Sequence, residues 1–484
     1  MLGILTGNLI RLSDGERLPT DVHRLLGFAM SVTKGECVTV FVVESRDVVN
    51  EFLTECLKAF PFSHNGGRMT VNALVGVNRV MYHVTLTNAD GGRFRFADFD
   101  NLIRYPHYLL PSLFGGRTEE EAAYRAVCMA ERMGLGGVTI GASAQSNFIR
   151  DFGRSRYLAK FPPIDRDCLT TMRSAYMGGY VMALPGDYAN VVDYDVNSLY
   201  PYVLATMPLP FGKPEHYMGA YEPDDDMPRH IDVLTFRADL KPDGHPFLTS
   251  PQTSFEKSDQ RVVSTHGFVS RALTDVDQEL LKENYETVVY ERTEGWKFRQ
   301  SQGFFTSWVD SWADVKREAK GALRNMSKLV LNSFVGKFGT YPRDVCMEPC
   351  LDDDGKLDWR MGHTTSASLS YPPVSMFVTA YARRYLIDAM RRQRRSVIYA
   401  NTDGFMVEGG ANDLDVSPDR FGAWKIEGEY ERVRILKPGL YQGETSDGHI
   451  DLISSGIQRN TPIPWEDFHE GSHVRDDYGM DVVL

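Results

Sequence analysis

Two aspartates in the sequence could form a metal-dependent catalytic centre. Asp195 ends the apolar run 188–196, which predicts a strand, and Asp403 lies in the turn between two apolar segments at 396–409, which predict a hairpin. Two carboxylates in one sheet can bind hard cations, and two Mg²⁺ ions about 3.5–4 Å apart can stabilise the attacking and leaving oxygens of a phosphoryl transfer. Taken alone, Asp195 is better explained as an ordinary strand-end aspartate, and the alternative for Asp403 is a turn-forming aspartate.

A row of basic side chains supplies a candidate phosphate-binding element. It recurs every four residues and consists of Lys316, Lys320, Arg324, Lys328 and Asn332. The pattern over 308–338 predicts one long helix, on which each step of four residues rotates the side-chain direction by about 40°. The row would therefore wind slowly around the helix and could bind a triphosphate or a nucleic-acid backbone. The alternative is a solvated helix face on which Glu318 is an ionic partner.

The elements around these residues are those of a mixed α/β protein. Residues 37–45 predict a buried strand, and residues 48–60 predict an amphipathic helix. Thr118 is followed by three glutamates and predicts a helix N-terminus, because its side chain can cap the first turn and the acids favour the helix dipole. Residues 377–393 predict another helix.

The composition is that of a protein with several globular domains. The chain has 484 residues, and at roughly 100–200 residues per domain this predicts two to four domains. Apolar residues make up 42% and charged residues 24% of the sequence. No apolar run approaches the roughly 18 residues of a membrane-spanning helix. We therefore expect no membrane partner. The N-terminus has neither the basic region nor the clear cleavage site of a signal peptide, so we expect no signal peptide.

Net charge and cysteine content disfavour two further classes. The net charge is −12, which disfavours a basic DNA-coating protein but leaves room for an enzyme with a local basic channel. The six cysteines contain no CxxC pair, which disfavours a zinc ribbon. They are also too sparse for a disulfide scaffold, so a reducing compartment is expected.

Three segments, in order along the chain, resemble motifs A, B and C of the family B DNA polymerases. They are DVNSLYP at 195–201, KLVLNSFVGKFG at 328–339 and YANTDG at 399–404. The resemblance is closest to the protein-primed branch, which replicates linear genomes capped by a terminal protein, and YMGGY at 176–180 resembles its YxGG segment. It implies an α/β and α+β multidomain fold: a right-hand polymerase with palm, fingers and thumb, and an N-terminal ribonuclease-H-like domain of exonuclease type.

The resemblance also implies domain boundaries. A degenerate exonuclease-like domain is expected over 1–175, palm and fingers over 176–430, and a reduced thumb over 431–484. Two insertions, at about 207–305 and 340–372, lie on either side of motif B. The first resembles the insertion that contacts a priming protein, and the second resembles the one that closes a ring around DNA and permits strand displacement.

The matching positions imply roles for individual residues. Asp195 and Asp403 resemble the two metal-binding aspartates, and Val196 would lend its backbone carbonyl to the same metal. Tyr200 resembles the tyrosine that lies under the deoxyribose and rejects a 2′-hydroxyl. The residues expected to bind the incoming nucleotide are Tyr200, Lys316, Arg324, Lys328 and Asn332, and those expected to bind DNA are Tyr176, Gly178, Gly179, Lys337, Lys437 and Tyr441. The implied cofactors are two Mg²⁺ ions, with Mn²⁺ as an alternative.

Several positions depart from the family pattern. Asn401 replaces the first aspartate of motif C and Gly404 its serine, so we expect catalysis with fewer negative charges, either slower or with a preference for Mn²⁺. Val335 replaces the tyrosine of motif B, which puts fidelity in doubt. Gly439 replaces the lysine of the later Lys-x-Tyr motif, and Lys437 is expected to substitute for it.

The N-terminal region lacks acids at the positions that resemble exonuclease motifs. HNGGRM at 64–69 resembles the second motif, where Asn65 is present but Met69 replaces the aspartate. The segment 118–128 resembles the third motif, where Tyr124 is present but Cys128 replaces the aspartate. We expect no Asp-x-Glu pair of a first exonuclease motif in the first 40 residues. We therefore expect a ribonuclease-H-like fold without proofreading.

The sequence thus predicts a DNA-directed DNA polymerase of the protein-primed family B type. It would work by two-metal nucleotidyl transfer, displace strands and lack 3′–5′ proofreading. The expected partners are primed template DNA, dNTPs and a terminal protein, in the cytoplasm of a host cell that carries a phage or linear plasmid. One alternative is a pseudo-polymerase that acts as a DNA- or protein-binding module after losing its chemistry with Asn401. The other is a polymerase that needs no primer or no template.

Overall fold

The chain is described here by a computed structural model. It describes residues 1–7, 9–43, 46–63, 69–75, 81–103, 105–249, 262–341, 346–362, 369–393, 397–454, 462–476 and 480–484. Two units are distinguished, one of residues 1–163 with 310–370 and one of residues 164–309 with 371–484.

The strands and helices are numbered in chain order. The strands are β1 (Leu2–Thr6), β2 (Leu9–Leu12), β3 (Arg17–Leu18), β4 (Cys37–Val42), β5 (Thr70–Val75), β6 (Met81–Thr87), β7 (Arg93–Asp98), β8 (Tyr180–Ala183), β9 (Gly186–Val196), β10 (Leu209–Met218), β11 (Arg229–Leu240), β12 (Val269–Thr274), β13 (Tyr285–Ser301), β14 (Cys346–Leu351), β15 (Leu357–Gly362), β16 (Val397–Thr402), β17 (Gly404–Glu408), β18 (Trp424–Lys437), β19 (Leu440–Glu444), β20 (Ile450–Ser454), β21 (His473–Arg475) and β22 (Asp481–Val483). The α-helices are α1 (Val22–Ser31), α2 (Arg46–Ala59), α3 (Leu110–Phe114), α4 (Glu119–Arg132), α5 (Ile140–Phe152), α6 (Arg154–Lys160), α7 (Arg166–Met172), α8 (Leu199–Thr206), α9 (Asp275–Asn284), α10 (Thr306–Glu318), α11 (Gly321–Phe338) and α12 (Pro372–Arg391).

The first unit is built on a nine-stranded mixed sheet. Its strand order is β15-β14-β5-β6-β7-β4-β1-β2-β3, and β4 pairs in parallel with both β1 and β7. The core contains Phe52, Phe94 and Phe96, whose rings lie 5.3–5.5 Å apart. The strand predicted at 37–45 is confirmed as β4 as far as Val42, and its positions 44 and 45 lie outside the described residues. The helix predicted at 48–60 is confirmed as α2.

The hairpin β14–β15, which comes from the predicted second insertion, belongs to the same sheet. Met347 pairs with Val75 of β5, and Leu357 and Trp359 pack against the core of this unit. The predicted N-terminus at Thr118 is also confirmed, since its side chain accepts a hydrogen bond from the N–H of Glu121 at 3.2 Å.

The prediction of one continuous helix over 308–338 is wrong. The chain forms two helices, α10 and α11, and the residues between them leave the helical conformation. Lys320 is extended (φ −120°, ψ 162°), and Gly321 has φ +58°, a conformation that glycine adopts at little cost. The basic row from Lys316 to Asn332 is therefore not one winding stripe; only its part from Arg324 onward lies on a single helix.

The second unit is built on a seven-stranded antiparallel sheet. Its order is β20-β19-β18-β9-β17-β16-β8, so the predicted strand (now β9) lies between β17 and β18. The predicted hairpin is confirmed as β16–β17, with Asn401 opposite Gly404. The helix predicted over 377–393 is confirmed within α12.

The first insertion forms a further sheet in this unit. Strands β10-β13-β11-β12 pair in that order, and α9 follows β12 directly. The chain ends in the short pair β21–β22, next to a small core that contains Leu440, Phe468 and Leu484. Among the described residues, no helix has both the length and the apolar character that crossing a membrane requires.

Candidate active site

The two predicted catalytic aspartates lie beside each other at one end of the seven-stranded sheet. Asp195 is the penultimate residue of β9 and pairs with Gly404, which directly follows Asp403. The backbone N–H of Val196 donates to the carbonyl of Asp403 at 2.8 Å. This hydrogen bond links the hairpin turn to the end of β9 and so holds the two carboxylate-bearing segments together.

The turn that carries Asp403 has an unusual backbone. Thr402 has φ +57°, and its hydroxyl donates to Asp403 Oδ1 at 2.7 Å. The N–H of Asp403 donates to the carbonyl of Asn401 at 2.7 Å. A Cβ at Gly404 would lie 2.6 Å from the carbonyl oxygen of Tyr194. The close pairing of β17 with β9 therefore explains why glycine stands where the family has serine.

The electrostatics of the site favour a bound cation. Burial and the charge of Asp403 raise the pKa of Asp195 to about 7. Burial and the charge of Asp195 likewise raise the pKa of Asp193 to about 7. A divalent cation would relieve this repulsion, and oxygen ligands of this kind suit Mg²⁺. Within the described part of the chain, however, no group of three or more His, Cys, Asp or Glu side chains is arranged as a metal site.

Two charged residues of this site were absent from the predicted set. Asp193 lies two residues before Asp195 on β9, so strand alternation places both on one face of the sheet. That period-two signal was available in the sequence. Lys425 on β18 pairs with Asp195, and its Nζ lies 3.5 Å from Asp195 Oδ1. No local pattern points to Lys425, because its position depends on pairing between distant strands.

Tyr200 and the YMGGY segment meet at the same hairpin. Tyr200 lies in the first turn of α8, after Ser198, which has φ +59°. Tyr180 pairs with Thr402 across β8 and β16. A Cβ at Gly179 would lie 2.5 Å from the hydroxyl oxygen of Tyr200. Motif A, motif C and YMGGY are therefore in contact. Of the outer residues of that segment, Tyr180 is fully buried and Tyr176 is half-buried, and burial raises the pKa of Tyr176.

The predicted phosphate-binding residues belong to the other unit. Arg324, Lys328 and Asn332 are exposed along one side of α11, four residues apart. Val335 is buried on the same helix, at the position where the family has tyrosine. Lys316 on α10 and Lys337 on α11 are half-buried, and Lys320 before α11 is exposed.

The loosely matched Lys-x-Tyr motif forms the hairpin between β18 and β19. Lys437 pairs with Leu440, and Gly439 has φ +71°. Lys437 is exposed, whereas Tyr441 is 8% exposed and its ring lies 5.0 Å from that of Tyr399. Lysine at position 439 would be strained by the positive φ, which explains the glycine.

The positions that resemble exonuclease motifs carry no acid cluster in the described residues. Asn65 lies outside the described residues, and Met69, with φ +53°, precedes β5. Tyr124 donates to the carbonyl of Leu12 at 3.1 Å, and the Arg11 guanidinium lies 3.7 Å from the centre of its ring. Cys128 Sγ lies 3.8 Å from the carbonyl of Ser13.

One Asp-x-Glu pair does occur near the N-terminus, contrary to the expectation from the sequence. Asp14 and Glu16 lie in the turn between β2 and β3, and both are exposed. Asp14 accepts a hydrogen bond from the N–H of Glu16 at 3.0 Å. The pair therefore serves the turn, and β1 itself, with the sequence LGILT, carries no carboxylate.

Comparison with known proteins identifies the class and then the family. Over its whole length the chain has the fold of a right-hand polymerase: it superposes on the phi29 DNA polymerase complexed with primer-template DNA and incoming nucleotide with a TM-score of 0.81, at 20% identity, covering 100% of this chain and 98% of that one. Residues 136–415 match the family model "DNA polymerase type B, organellar and viral". The chain therefore belongs to the type B DNA polymerases of organelles and viruses.

Relatives of this chain include DNA polymerases of phages. The polymerase of Bacillus phage Nf is 30% identical over 356 residues, which cover 72% of this chain and 62% of the relative. That of Bacillus phage phi29 is 29% identical over 369 residues, covering 72% and 64%. The matched region thus spans less than two thirds of these relatives. The fold class and the protein-primed family predicted from the three motifs are confirmed.

Proposed function

We propose that the chain is a DNA-directed DNA polymerase of the protein-primed type. The observation that carries the proposal is the junction of Asp195 and Asp403, held by the hydrogen bond from the N–H of Val196 to the Asp403 carbonyl. Nucleotidyl transfer needs two carboxylates beside one reacting phosphate, and this junction supplies them. The phage relatives, which are DNA polymerases, support the same activity.

The carboxylates of Asp195 and Asp403, with the carbonyl of Val196, would hold divalent cations, either two Mg²⁺ ions or Mn²⁺. When bound, these cations would activate the attacking hydroxyl and stabilise the leaving pyrophosphate. The chain contributes the carboxylate of Asp195, whose ionisation is opposed by burial and by the charge of Asp403. The repulsion between Asp195 and Asp403 supports cation binding, because a bound divalent cation would offset it.

The remaining predicted residues would position the substrates. The phosphates of the incoming dNTP would bind Arg324 and Lys328, whose exposed positions on α11 support this role. Tyr200 would lie under the deoxyribose and reject a 2′-hydroxyl. The other proposed contacts to nucleotide or DNA are made by Lys316, Asn332, Lys337, Lys437, Tyr441, Tyr176, Gly178 and Gly179.

We further propose that the N-terminal domain, residues 1–175, has lost 3′–5′ proofreading. The absence of a carboxylate on β1 supports this, as does the replacement of two motif acids by Met69 and Cys128. The hydroxyl of Tyr124 is bonded to the carbonyl of Leu12 rather than facing a carboxylate. A two-metal exonuclease needs acids at these positions to bind its ions.

The insertions would provide the functions particular to protein priming. The sheet of residues 207–305 would contact a terminal protein, and the hairpin of residues 340–372 would contribute to strand displacement. Palm and fingers would occupy 176–430 and a reduced thumb 431–484. The phage origin of the relatives supports replication in the cytoplasm of a host cell.

Primer extension tests the proposed function. Wild-type protein should extend a primed template with dNTPs in Mg²⁺ or Mn²⁺, and Asp403→Ala should reduce the rate by at least about a hundredfold. Asp90→Ala, which replaces an exposed aspartate of the β6–β7 turn, is the matched control and should extend normally. If the wild-type protein incorporates no nucleotide in either metal, the pseudo-polymerase is favoured. The sequence feature behind that alternative is the missing acid at Asn401.

Two further assays separate the finer parts of the proposal. A 3′-labelled single strand should stay intact in the presence of Mg²⁺, and metal-dependent trimming that is lost in Cys128→Ala would contradict the loss of proofreading. Transfer of labelled dNMP to a hydroxyl of a candidate terminal protein tests protein priming. Extension through a downstream duplex tests strand displacement.

A further inference from the structure

We propose that Gly179 determines the sugar specificity of the polymerase, because the main chain of YMGGY backs the hydroxyl of Tyr200 and fixes the ring that rejects a ribose. This rests on the proposed function, in which Tyr200 lies under the sugar of the incoming nucleotide. The inference gives Gly179 a role other than DNA binding: it acts on the nucleotide through Tyr200. Gly179 is therefore a positioning residue.

The contact leaves no room for any side chain at this position. A Cβ at Gly179 would lie 2.5 Å from Tyr200 Oη and 2.9 Å from Thr402 Cγ2. Both distances are well below ordinary van der Waals separation, so even alanine would force a movement. A Cβ at the neighbouring Gly178 would meet nothing within 4 Å among the described residues. The requirement for glycine is therefore confined to position 179.

The YMGGY main chain is held in place from two sides. On one side Tyr180 pairs with Thr402 in the β8–β16 ladder. On the other side the guanidinium of Arg383 on α12 donates through Nη1 to the carbonyls of Met177 and Gly178, each at 2.8 Å. Gly179 lies between these two attachments. The clash between an added Cβ at Gly179 and the Tyr200 hydroxyl is therefore resolved most easily by displacement of the Tyr200 ring.

Arg383 is itself held by a buried carboxylate. Its Nη2 lies 2.8 and 2.9 Å from the two carboxylate oxygens of Asp277 on α9, and both side chains are 0% exposed. Asp277 also accepts a hydrogen bond from the hydroxyl of Thr274 at 2.8 Å. Bidentate pairing of this kind fixes the plane of the guanidinium. The Arg383–Asp277 pair therefore holds the main chain beside Gly179 rigidly, as is required if that main chain is to fix the Tyr200 ring.

A displaced Tyr200 should affect ribonucleotides and deoxyribonucleotides differently. Rejection of a 2′-hydroxyl depends on steric contact with the ring, and a misplacement of about 1 Å in an active site can change rates a hundredfold. Movement of Thr402, which precedes Asp403, would instead slow both substrates equally. The ratio of kcat/KM for dCTP to kcat/KM for rCTP changes when the Tyr200 ring is displaced but not when Thr402 moves, so it separates the two effects.

Single-nucleotide incorporation of dCTP and rCTP opposite a template dG tests the proposal. Gly179→Ala should lower the dCTP/rCTP ratio at least about tenfold. Gly178→Ala has the same added Cβ one residue away, and whatever it does to DNA binding it should leave the ratio within twofold of wild type. An unchanged ratio in a folded Gly179→Ala protein would overturn the inference.

Tyr200→Phe provides the second variant, since it removes the oxygen that the new Cβ would meet and keeps the ring. Alone it should lower the ratio less than Gly179→Ala does, because the ring loses its support but meets no clash. In Gly179→Ala/Tyr200→Phe the ratio and the melting temperature should both rise above those of Gly179→Ala. A purely structural role of Gly179 predicts coupling in the melting temperature alone, with the dCTP/rCTP ratio unaffected by the change at position 179, and this result would contradict the inference.

Tyr200→Ala distinguishes failure of the inference from failure of the proposed function. If wild type incorporates dCTP and Tyr200→Ala lowers the ratio, the proposed role of Tyr200 holds and the result at Gly179 decides the inference alone. If wild type does not incorporate dCTP, or if Tyr200→Ala keeps the wild-type ratio, the proposed function or the role of Tyr200 fails and the inference fails with it.

Discussion

The ammonium of Lys425 lies 3.5 Å from Asp195 Oδ1, across the pairing of β18 with β9. Lys425 also forms a hydrogen bond with Glu427 on its own strand. Burial opposes the charge of Lys425, but the bond to Glu427 and the attraction of Asp195 outweigh it and raise the pKa of the ammonium. A fixed positive charge therefore touches one of the two carboxylates proposed to hold cations.

Lys425 should set the acidic limit of activity. Its charge lowers the pKa of Asp195, against the larger effects of burial and Asp403. Lys425→Met removes that charge, so ionisation of Asp195 should need a higher pH and the acidic limb of kcat/KM should move up by about half a unit or more. Lys425→Arg keeps the charge and should leave the limb near its wild-type position. A limb that stays in place in Lys425→Met would show that Asp195 does not control it.

The stability of the protein without metal should fall as the pH rises. The pKa of Asp195 is raised by burial and by the charge of Asp403, from 3.8 to about 7. A carboxyl group whose pKa is raised by folding favours the folded state fully below its unfolded pKa, and this contribution is lost as the pH rises through about 7. Asp193 and Asp275, whose pKa values burial also raises to about 7, act in the same direction.

Thermal unfolding in a chelator should therefore give a lower melting temperature at pH 8 than at pH 6. Mg²⁺ should restore stability more at pH 8, where the carboxylates are ionised. Asp195→Asn should reduce both the pH dependence and the effect of Mg²⁺. An equal melting temperature at pH 6 and pH 8 in the chelator would contradict the assignment of raised pKa values.

Asn401→Asp should increase the use of Mg²⁺. The substitution restores an acid at the start of motif C, opposite Gly404 in the hairpin. An added carboxylate strengthens the attraction of a hard cation, so the ratio of activity in Mg²⁺ to activity in Mn²⁺ should rise about two- to tenfold. Asn50→Asp, on the exposed side of α2, adds the same charge away from the site and should not change the ratio.

Local patterns were sufficient to predict the catalytic end of the sheet. The apolar run that ends at Asp195 and the hairpin around Asp403 both depend on alternation and turn chemistry over a few residues, and the structure has both. The same alternation would have revealed Asp193. The break at Lys320 was missed because one glycine within a helical pattern costs only about 1 kcal/mol and does not by itself predict a helix end.

Contacts between distant parts of the chain could not be predicted. The pairing of Met347 with Val75 attaches the hairpin β14–β15 to a strand that lies about 270 residues earlier in the chain, and no local signal encodes it. The same is true of Lys425, which reaches Asp195 only because β18 pairs with β9. The partner of Arg383 was also unpredictable, since Arg383 on α12 and Asp277 on α9 are 106 residues apart in the chain.

Gly404→Ala should destabilise the fold more than alanine at an open position. The added Cβ would lie 2.6 Å from the carbonyl oxygen of Tyr194, which is backbone and cannot swing aside. We expect a loss of about 1–3 kcal/mol in the free energy of unfolding. Gly27→Ala adds the same group to α1, where nothing described lies within 4 Å, and should be neutral or stabilising by up to about 1 kcal/mol. Equal unfolding midpoints in denaturant for the two variants would contradict the close approach of β17 to β9.

Removing one charge of the buried Arg383–Asp277 pair should destabilise the protein more than removing both. Asp277→Asn leaves the guanidinium charge fully buried, and breaking such a pair typically costs about 3–5 kcal/mol. Asp277→Leu/Arg383→Met removes both charges, so it should be more stable than Asp277→Asn. It should nevertheless lower the discrimination between dCTP and rCTP, because the carbonyls of Met177 and Gly178 lose their donor. Chemical denaturation together with single-nucleotide incorporation separates the two effects. A double variant less stable than Asp277→Asn would show that the charged pair contributes net stability, and unchanged discrimination in the double variant would show that the pair does not position YMGGY.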